Sequence, residues 1–245
     1  MFEYISPNLN TIHSRINKAC EKANRDSKEV RLLLATKTVE PEKILYALEQ
    51  GETLIGENKV QELTQKCTFV KKMNPEVHFI GHLQTNKIKE LIKWVTCIES
   101  VDRIELAEKL HQRLTFEKKE MNVYIQVNTS YEESKFGVAP DKALELIRQV
   151  AELDTLHIKG LMTIGLFSAE AEKVRKCFKL LKHIQKEGML LKLPNVDLKE
   201  LSMGMSGDLE IAIEEGATII RVGTAIFGER IYPDSFYWDE GTTSS

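Results

Sequence analysis

From Val30 onward, short runs rich in Leu, Ile and Val alternate with charge-laced stretches of helical length, and about eight such runs occur: "VRLLLA" (30–35), "TLIG" (53–56), "VHFIG" (77–81), "WVTCIES" (94–100), "VYIQVN" (123–128), "HIKGLMTI" (157–164), "LKELSM" (198–203) and "TIIRVG" (218–223). Parallel strands need a long crossover between them, and a helix between successive strands supplies it. Eight such units are the number that closes a barrel. The sequence therefore predicts an α/β fold, a single-domain (β/α)8 TIM-type barrel.

The stretches between the strands carry helix punctuation. "PEKILYALEQG" has Pro41 near its start and Gly51 as a stop, and in "DRIELAEKLHQRL" Asp102 is expected to cap the first turn. Before the first strand, residues 7–24 place Leu9, Ile12, Ile16, Ala19 and Ala23 at helical spacing, which predicts an extra N-terminal helix lying across the barrel. No linker divides the chain, so residues 1–245 are expected to form one domain, with a polar tail at 237–245, "YWDEGTTSS", that frays.

Composition narrows the function classes. With 34 basic against 37 acidic residues and a net charge of -3, nothing recruits nucleic acid or an anionic membrane. No segment approaches the roughly 18 apolar residues of a membrane span, and the N-terminus lacks the apolar core of a signal peptide. Cys20, Cys67, Cys97 and Cys177 are far apart and form no CxxC pair, which suits reduced thiols in a cytoplasmic protein. No metal site is expected.

In "RLLLATKTVEP" (31–41) an apolar strand ends on a lysine. Leu33, Ala35 and Lys37 share one face of the strand, and if that face lines the barrel, Lys37 stands at its C-terminal mouth, where barrel enzymes place their working groups. A lysine partly desolvated there is suited to Schiff-base chemistry. A lysine snorkelling to solvent is the plainer alternative.

"TIIRVG" embeds Arg221 between residues that a parallel strand buries. A guanidinium there needs an acceptor, either a structural carboxylate or a ligand atom. "SMGMSGDLEIAI" opens a helix after the seventh strand, and Ser206 with the neighbouring N–H groups makes an anion site; Gly223 and Thr224 in "VGTAIFG" offer a second. Ser206 or Asp208 serving as an ordinary N-cap is the alternative. His78 and His82 in "HFIGH" are four apart, but on extended chain that is roughly 13 Å, too far for shared chelation. His82, Asn58 and Asn128 lie at strand ends where they could line the mouth or be incidental.

Together "LLATKT", "IGENKVQE", "HFIGHLQTNK", "NTSYEESKFGV", "GLMTIG" and "LSMGMSGDLEIAIEEGATIIRVGTAIFGER" resemble the pyridoxal phosphate homeostasis proteins, single-domain barrels similar to the N-terminal domain of alanine racemase, from about Ile12 to Arg230. The resemblance implies that Lys37 forms the internal aldimine with pyridoxal 5'-phosphate, that Arg221 approaches the pyridine nitrogen, and that Ser206, Gly223 and Thr224 hold the phosphate. Asn58, His82 and Met203 are expected at the cofactor as well. Two departures stand near the site: Lys59 replaces the family's usual Tyr, and Thr36 stands where Ser is common.

The expected function is that of a non-enzymatic carrier or buffer of the cofactor in vitamin B6 homeostasis. It would be a monomer passing pyridoxal phosphate to apo-enzymes, with no catalytic residue of its own. An arginine at the pyridine nitrogen weakens the ring as an electron sink. With about 15 residues after "FGER", the second domain that gives racemases an opposing base is not expected here. A small racemase using Lys37 as its single base, or a cofactor-free Schiff-base aldolase, are the competing readings.

Overall fold

The structure, a computed structural model, describes residues 2–166, 168 and 170–229; the expected tail at 237–245 lies outside the described residues. Eight parallel strands close a barrel in chain order: β1 (Arg31–Ala35), β2 (Leu54–Glu57), β3 (Glu76–Phe79), β4 (Cys97–Val101), β5 (Met121–Gln126), β6 (Leu156–Met162), β7 (Val196–Ser202) and β8 (Ile219–Val222). The main helices are α1 (Ile5–Lys22), α2 (Pro41–Glu49), α3 (Val60–Val70), α4 (Ile88–Leu91), α5 (Ile104–Glu117), α6 (Ala143–Ala151), α7 (Ala171–Leu190), α8 (Leu209–Glu214) and α9 (Thr224–Phe227).

The expected strands are all present, displaced by a few residues. The largest shift is at β4, whose sequence pattern begins at Trp94. There the Trp94 N–H is still bonded to the Leu91 carbonyl, finishing the turn after α4, so β-branched composition is overridden by the helix that precedes it. In α2, Pro41 occupies the first turn and Gly51 follows the last, as the punctuation predicts. The capping role expected of Asp102 is not found. Arg103 holds the N-cap position of α5 without a side-chain cap, and Asp102 instead binds the Arg103 guanidinium at 2.6 Å.

Strand parity separates two cores. Leu32 and Leu34 belong to the large apolar shell between sheet and helices. Leu33 faces inward with Leu54, Cys97, Tyr124, Met162 and Ile219, packed by Ala35, Ile80 and Ile164. The extra helix runs from Ile5 rather than residue 7, and its buried stripe is Ile5, Leu9, Ile12, Ile16, Ala19 and Cys20. That stripe lies on α8 and α9, and Asn8 fastens it by donating to the Ile226 carbonyl at 3.0 Å. The helix thereby braces the two short helices that follow β7 and β8.

Candidate functional site

At the C-terminal end of the barrel, β1 lies between β8 and β2. Leu33 is in register with Arg221 and Leu34 with Val222. Gly223 then passes so close to β1 that a Cβ on it would sit 2.9 Å from the Ala35 carbonyl oxygen. This approach brings the turn carrying Lys37 beside the loop carrying Gly223 and Thr224. The loop from Met203 to Asp208, after β7, adjoins them, because the Arg221 N–H donates to the Gly204 carbonyl at 3.0 Å. Four of the sequence-predicted residues, Lys37, Ser206, Gly223 and Thr224, thus sit on adjoining loops, with Arg221 on the strand between them.

Lys37 is not the last residue of the strand. β1 ends at Ala35, and Thr36, Lys37 and Thr38 turn across the mouth with Lys37 only 7% exposed. The snorkelling alternative required an extended, solvated side chain, and burial of this degree is against it.

Arg221 is 6% exposed and points inward, on the same face as Ile219. Its guanidinium donates to the Ser202 hydroxyl at 2.8 Å and to the Thr163 carbonyl at 2.7 Å. The Ser202 hydroxyl in turn donates to the Glu99 carboxylate. Glu99 accepts a 2.6 Å bond from His78 Nδ1, and the other nitrogen of that ring meets Glu76 at 2.8 Å. Arg31 closes the chain by binding Glu76. A line of alternating charge therefore runs through the barrel interior, from Arg31 at the start of β1 to Arg221 near the mouth.

Its electrostatics follow from burial and pairing. Burial pushes the Arg221 guanidinium below its ordinary value, while the charges of Glu99 and Asp208 oppose that shift. Burial also works against the Glu99 carboxylate, but the bond and charge of His78, the charge of Arg221 and the Ser202 hydroxyl together hold it below the ordinary carboxylate value. For His78 the desolvation penalty is outweighed by bonds to Glu76 and Glu99, which raise its pKa to about 9. The His78 bond and the Arg31 guanidinium draw Glu76 down to about 2. Interior pairing of this kind keeps each charge with its partner at neutral pH.

The sequence reading missed this line. Its signal was present, since Glu99 interrupts "TCIESV" much as Arg221 interrupts "TIIRVG", and opposite charges in two buried strands ask to be matched. Which of eight strands face each other across a lumen is not written in either segment. The acceptors that Arg221 finds are the Thr163 carbonyl and the Ser202 hydroxyl, and the Glu99 carboxylate is linked to it through Ser202.

The loops at the mouth are held from outside. Arg15 on α1 donates to the Ser206 carbonyl at 2.9 Å and pairs with Glu210 at 2.6 Å, so the helix across the barrel fixes the loop after β7. Neither Ser206 nor Asp208 caps α8 with its side chain; Asp208 instead accepts from the Met205 N–H and closes the loop on itself. Ser206 is half-buried and Thr224 exposed. The Met203 side chain is fully buried in the shell between sheet and helices, so any ligand contact by this residue is left to its backbone.

Asn58 follows β2 and crowds Gly81 in the loop after β3: a Cβ on Gly81 would lie 2.1 Å from the Asn58 carbonyl oxygen. The Asn58 side-chain oxygen is buried with no hydrogen-bond partner. His82, next in that loop, stacks on Phe136 at 3.9 Å between ring centres and stands 3.8 Å from Asp102. Asn128 is structural; its amide donates to the Glu132 and Lys135 carbonyls and ties off the loop that carries Phe136.

Comparison with known proteins agrees with this architecture. Residues 8–231 match the family model "Alanine racemase, N-terminal domain". The pyridoxal phosphate homeostasis protein of Aquifex aeolicus is 45% identical over 224 residues, covering 91% of this chain and 97% of that protein. Its counterpart in Escherichia coli is 36% identical over 233 residues, covering 93% and 97%. Among solved structures, a protein of unknown function from Bifidobacterium adolescentis superposes with a TM-score of 0.90 at 38% identity, covering 92% of this chain and 95% of that one. PipY of Synechococcus elongatus with PLP bound gives 0.80 at 29% identity, covering 91% and 100%. Alanine racemase of Clostridium difficile shares the fold at 0.73 with 13% identity, the match spanning 58% of that chain.

Proposed function

The chain belongs to the pyridoxal phosphate homeostasis family, built on the alanine racemase N-terminal domain, and on that premise we propose that it binds pyridoxal 5'-phosphate reversibly, buffers it and delivers it to apo-enzymes without turning over amino acids. The protein acts as a monomer in the cytoplasm. Among the described residues no helix is long and apolar enough to cross a membrane.

One observation carries the reading: a primary amine and a permanent cation, Lys37 and Arg221, are both more than nine-tenths buried at one mouth, while hydroxyls lie nearer the surface at Ser206 and Thr224. That gradient suits a flat aromatic ligand carrying a carbonyl inward and a phosphate outward. The buried, partnerless oxygen of Asn58 leaves an acceptor for a ligand donor, which an empty structural role would not require.

In this reading Lys37 would hold the cofactor at its carbonyl, Arg221 would lie toward the pyridine nitrogen, and Ser206, Gly223 and Thr224 would hold the phosphate. Asn58 and His82 line the rim, and Met203 contributes backbone. Bound pyridoxal phosphate supplies an electrophilic carbonyl conjugated to an electron-withdrawing ring. Arg221 does not hand that ring a proton, because even a lowered guanidinium remains charged at neutral pH and is already held by Thr163 and Ser202. An unprotonated ring is a poor sink for carbanion charge, so the arrangement favours holding the cofactor over using it.

The test is to load the purified protein with pyridoxal phosphate, add an apo-enzyme, and measure both cofactor transfer and α-proton exchange in amino acids. Transfer without exchange is expected. Turnover in the common enzyme range of about 1 to 10³ s⁻¹, lost in Lys37→Ala, would restore an enzymatic function.

A further inference from the structure

A buried lysine outside the mouth bears on how Lys37 is presented. Lys66 lies on α3, faces the barrel and is 7% exposed. Its ammonium donates to the Thr36 carbonyl at 2.8 Å, to Glu57 at 2.7 Å and to Glu62 at 2.7 Å, which uses all three of its hydrogens. Each acceptor leads back to the site. Thr36 immediately precedes Lys37. The carboxylate oxygen of Glu62 that binds Lys66 also accepts the N–H of Thr38 at 2.9 Å, immediately after Lys37. Glu57 accepts the Thr36 hydroxyl at 3.1 Å and the Asn58 N–H at 2.8 Å.

The backbone on both sides of Lys37 is therefore tied to one ammonium. The turn needs such a tie, because Thr38 has φ +61°, a left-handed conformation unusual for a β-branched residue. Backbone strain of this sort persists only where the surroundings over-determine it. The charges are arranged accordingly. Burial dominates and holds the Glu57 carboxyl above its ordinary value, with the Lys66 ammonium and the Asn58 N–H opposing that shift.

Stability alone does not account for the arrangement. Replacing a buried ion pair with apolar side chains of similar volume is often neutral or stabilising, so such a pair is weak evidence of a stabilising role. What an apolar residue at position 66 could not do is bind a carbonyl before Lys37 and, through Glu62, orient an acceptor for the N–H after it.

We propose that Lys66, acting through Thr36, Glu57 and Glu62, is the positioning residue that presets the turn from which Lys37 meets its carbonyl ligand. The proposal rests on the reading of Lys37 given above, but it also makes a claim about the cofactor-free chain.

The experiment compares the full-length wild type with Lys66→Met, Lys66→Arg and Glu62→Gln. Hydrogen exchange is measured on the peptide containing residues 36–39 without cofactor. Covalent attachment at Lys37 is measured as the rate of borohydride-trapped pyridoxal phosphate adduct, mapped by mass spectrometry. Lys66→Met is expected to speed exchange in that peptide and slow trapping by about tenfold, the response to losing one hydrogen bond to a charged group. Lys66→Arg should recover part of both, and Glu62→Gln should reproduce the exchange effect on Thr38. Glu62 is only partly buried, so its substitution keeps the test decisive if Lys66→Met fails to fold.

Unchanged exchange in the folded variants overturns the proposal, as does faster exchange with trapping at the wild-type rate. Absence of trapping at Lys37 in the wild type is a different outcome: it refutes the assigned role of Lys37 itself.

Discussion

Arg221 donates to the Ser202 hydroxyl at 2.8 Å, and that hydroxyl passes the interaction to Glu99, so the cation near the mouth is neutralised by a carboxylate it does not touch. Glu99 is fully buried and also takes the His78 bond. It holds one negative charge between two positive ones. Glu99→Gln keeps the volume and removes that charge, which is expected to destabilise the fold by about 3 kcal/mol or more, the usual result of leaving buried charges unpaired. Denaturant unfolding of the two proteins side by side measures it, and equal midpoints would mean that the line through the barrel is not charged.

His78 makes stability depend on pH. Its folded pKa of about 9 lies above the ordinary value of 6.5, so between those values the native state binds more protons than the unfolded one. The contribution is complete below pH 6.5 and is lost as pH rises through 9. Each tenfold change in proton affinity is worth about 1.4 kcal/mol. The unfolding free energy should therefore decline across this window in the wild type and decline less in His78→Gln. Glu76 works at the other end: its lowered value gives stability present above pH 4.5 and lost as pH falls through 2.

Lys37→Ala should abolish the borohydride-trapped adduct at residue 37 while leaving the circular dichroism spectrum and cooperative unfolding in place. The fold is expected to survive because the turn is tied on both sides of Lys37, through the Thr36 carbonyl and the Thr38 N–H. An adduct of wild-type yield elsewhere in the mutant would move the attachment point.

Ser206→Ala and Thr224→Val should each weaken cofactor retention, by roughly 1.5–3 kcal/mol for a hydrogen bond to a charged group. Equilibrium dialysis of the loaded protein reads this directly. The Ser206 loop remains anchored by Arg15 through the backbone, so the substitution does not unfold it. Wild-type retention in both variants would place the phosphate elsewhere.

What the chain determines by itself is local and periodic. Eight apolar runs separated by helical stretches specify the barrel because hydrophobic periodicity acts on each segment independently, and strand parity correctly divided Leu33 and Ala35 from Leu32 and Leu34. The same parity grouped Arg221 with Ile219 but left open whether that face was the lumen, and motif resemblance singled out Lys37. Other features depended on closure. Barrel geometry alone put Glu99 of β4 within reach of Ser202 on β7, and put Lys66 of α3 beneath the turn after β1. Asp102 was lost as a cap and Met203 was turned into the outer shell for a related reason: a side chain's partner is chosen by what packs against it, not by its place in a motif. Charges in an apolar run announce that a partner must exist, because burying one alone is prohibitive. Only the closed barrel decides which partner it is.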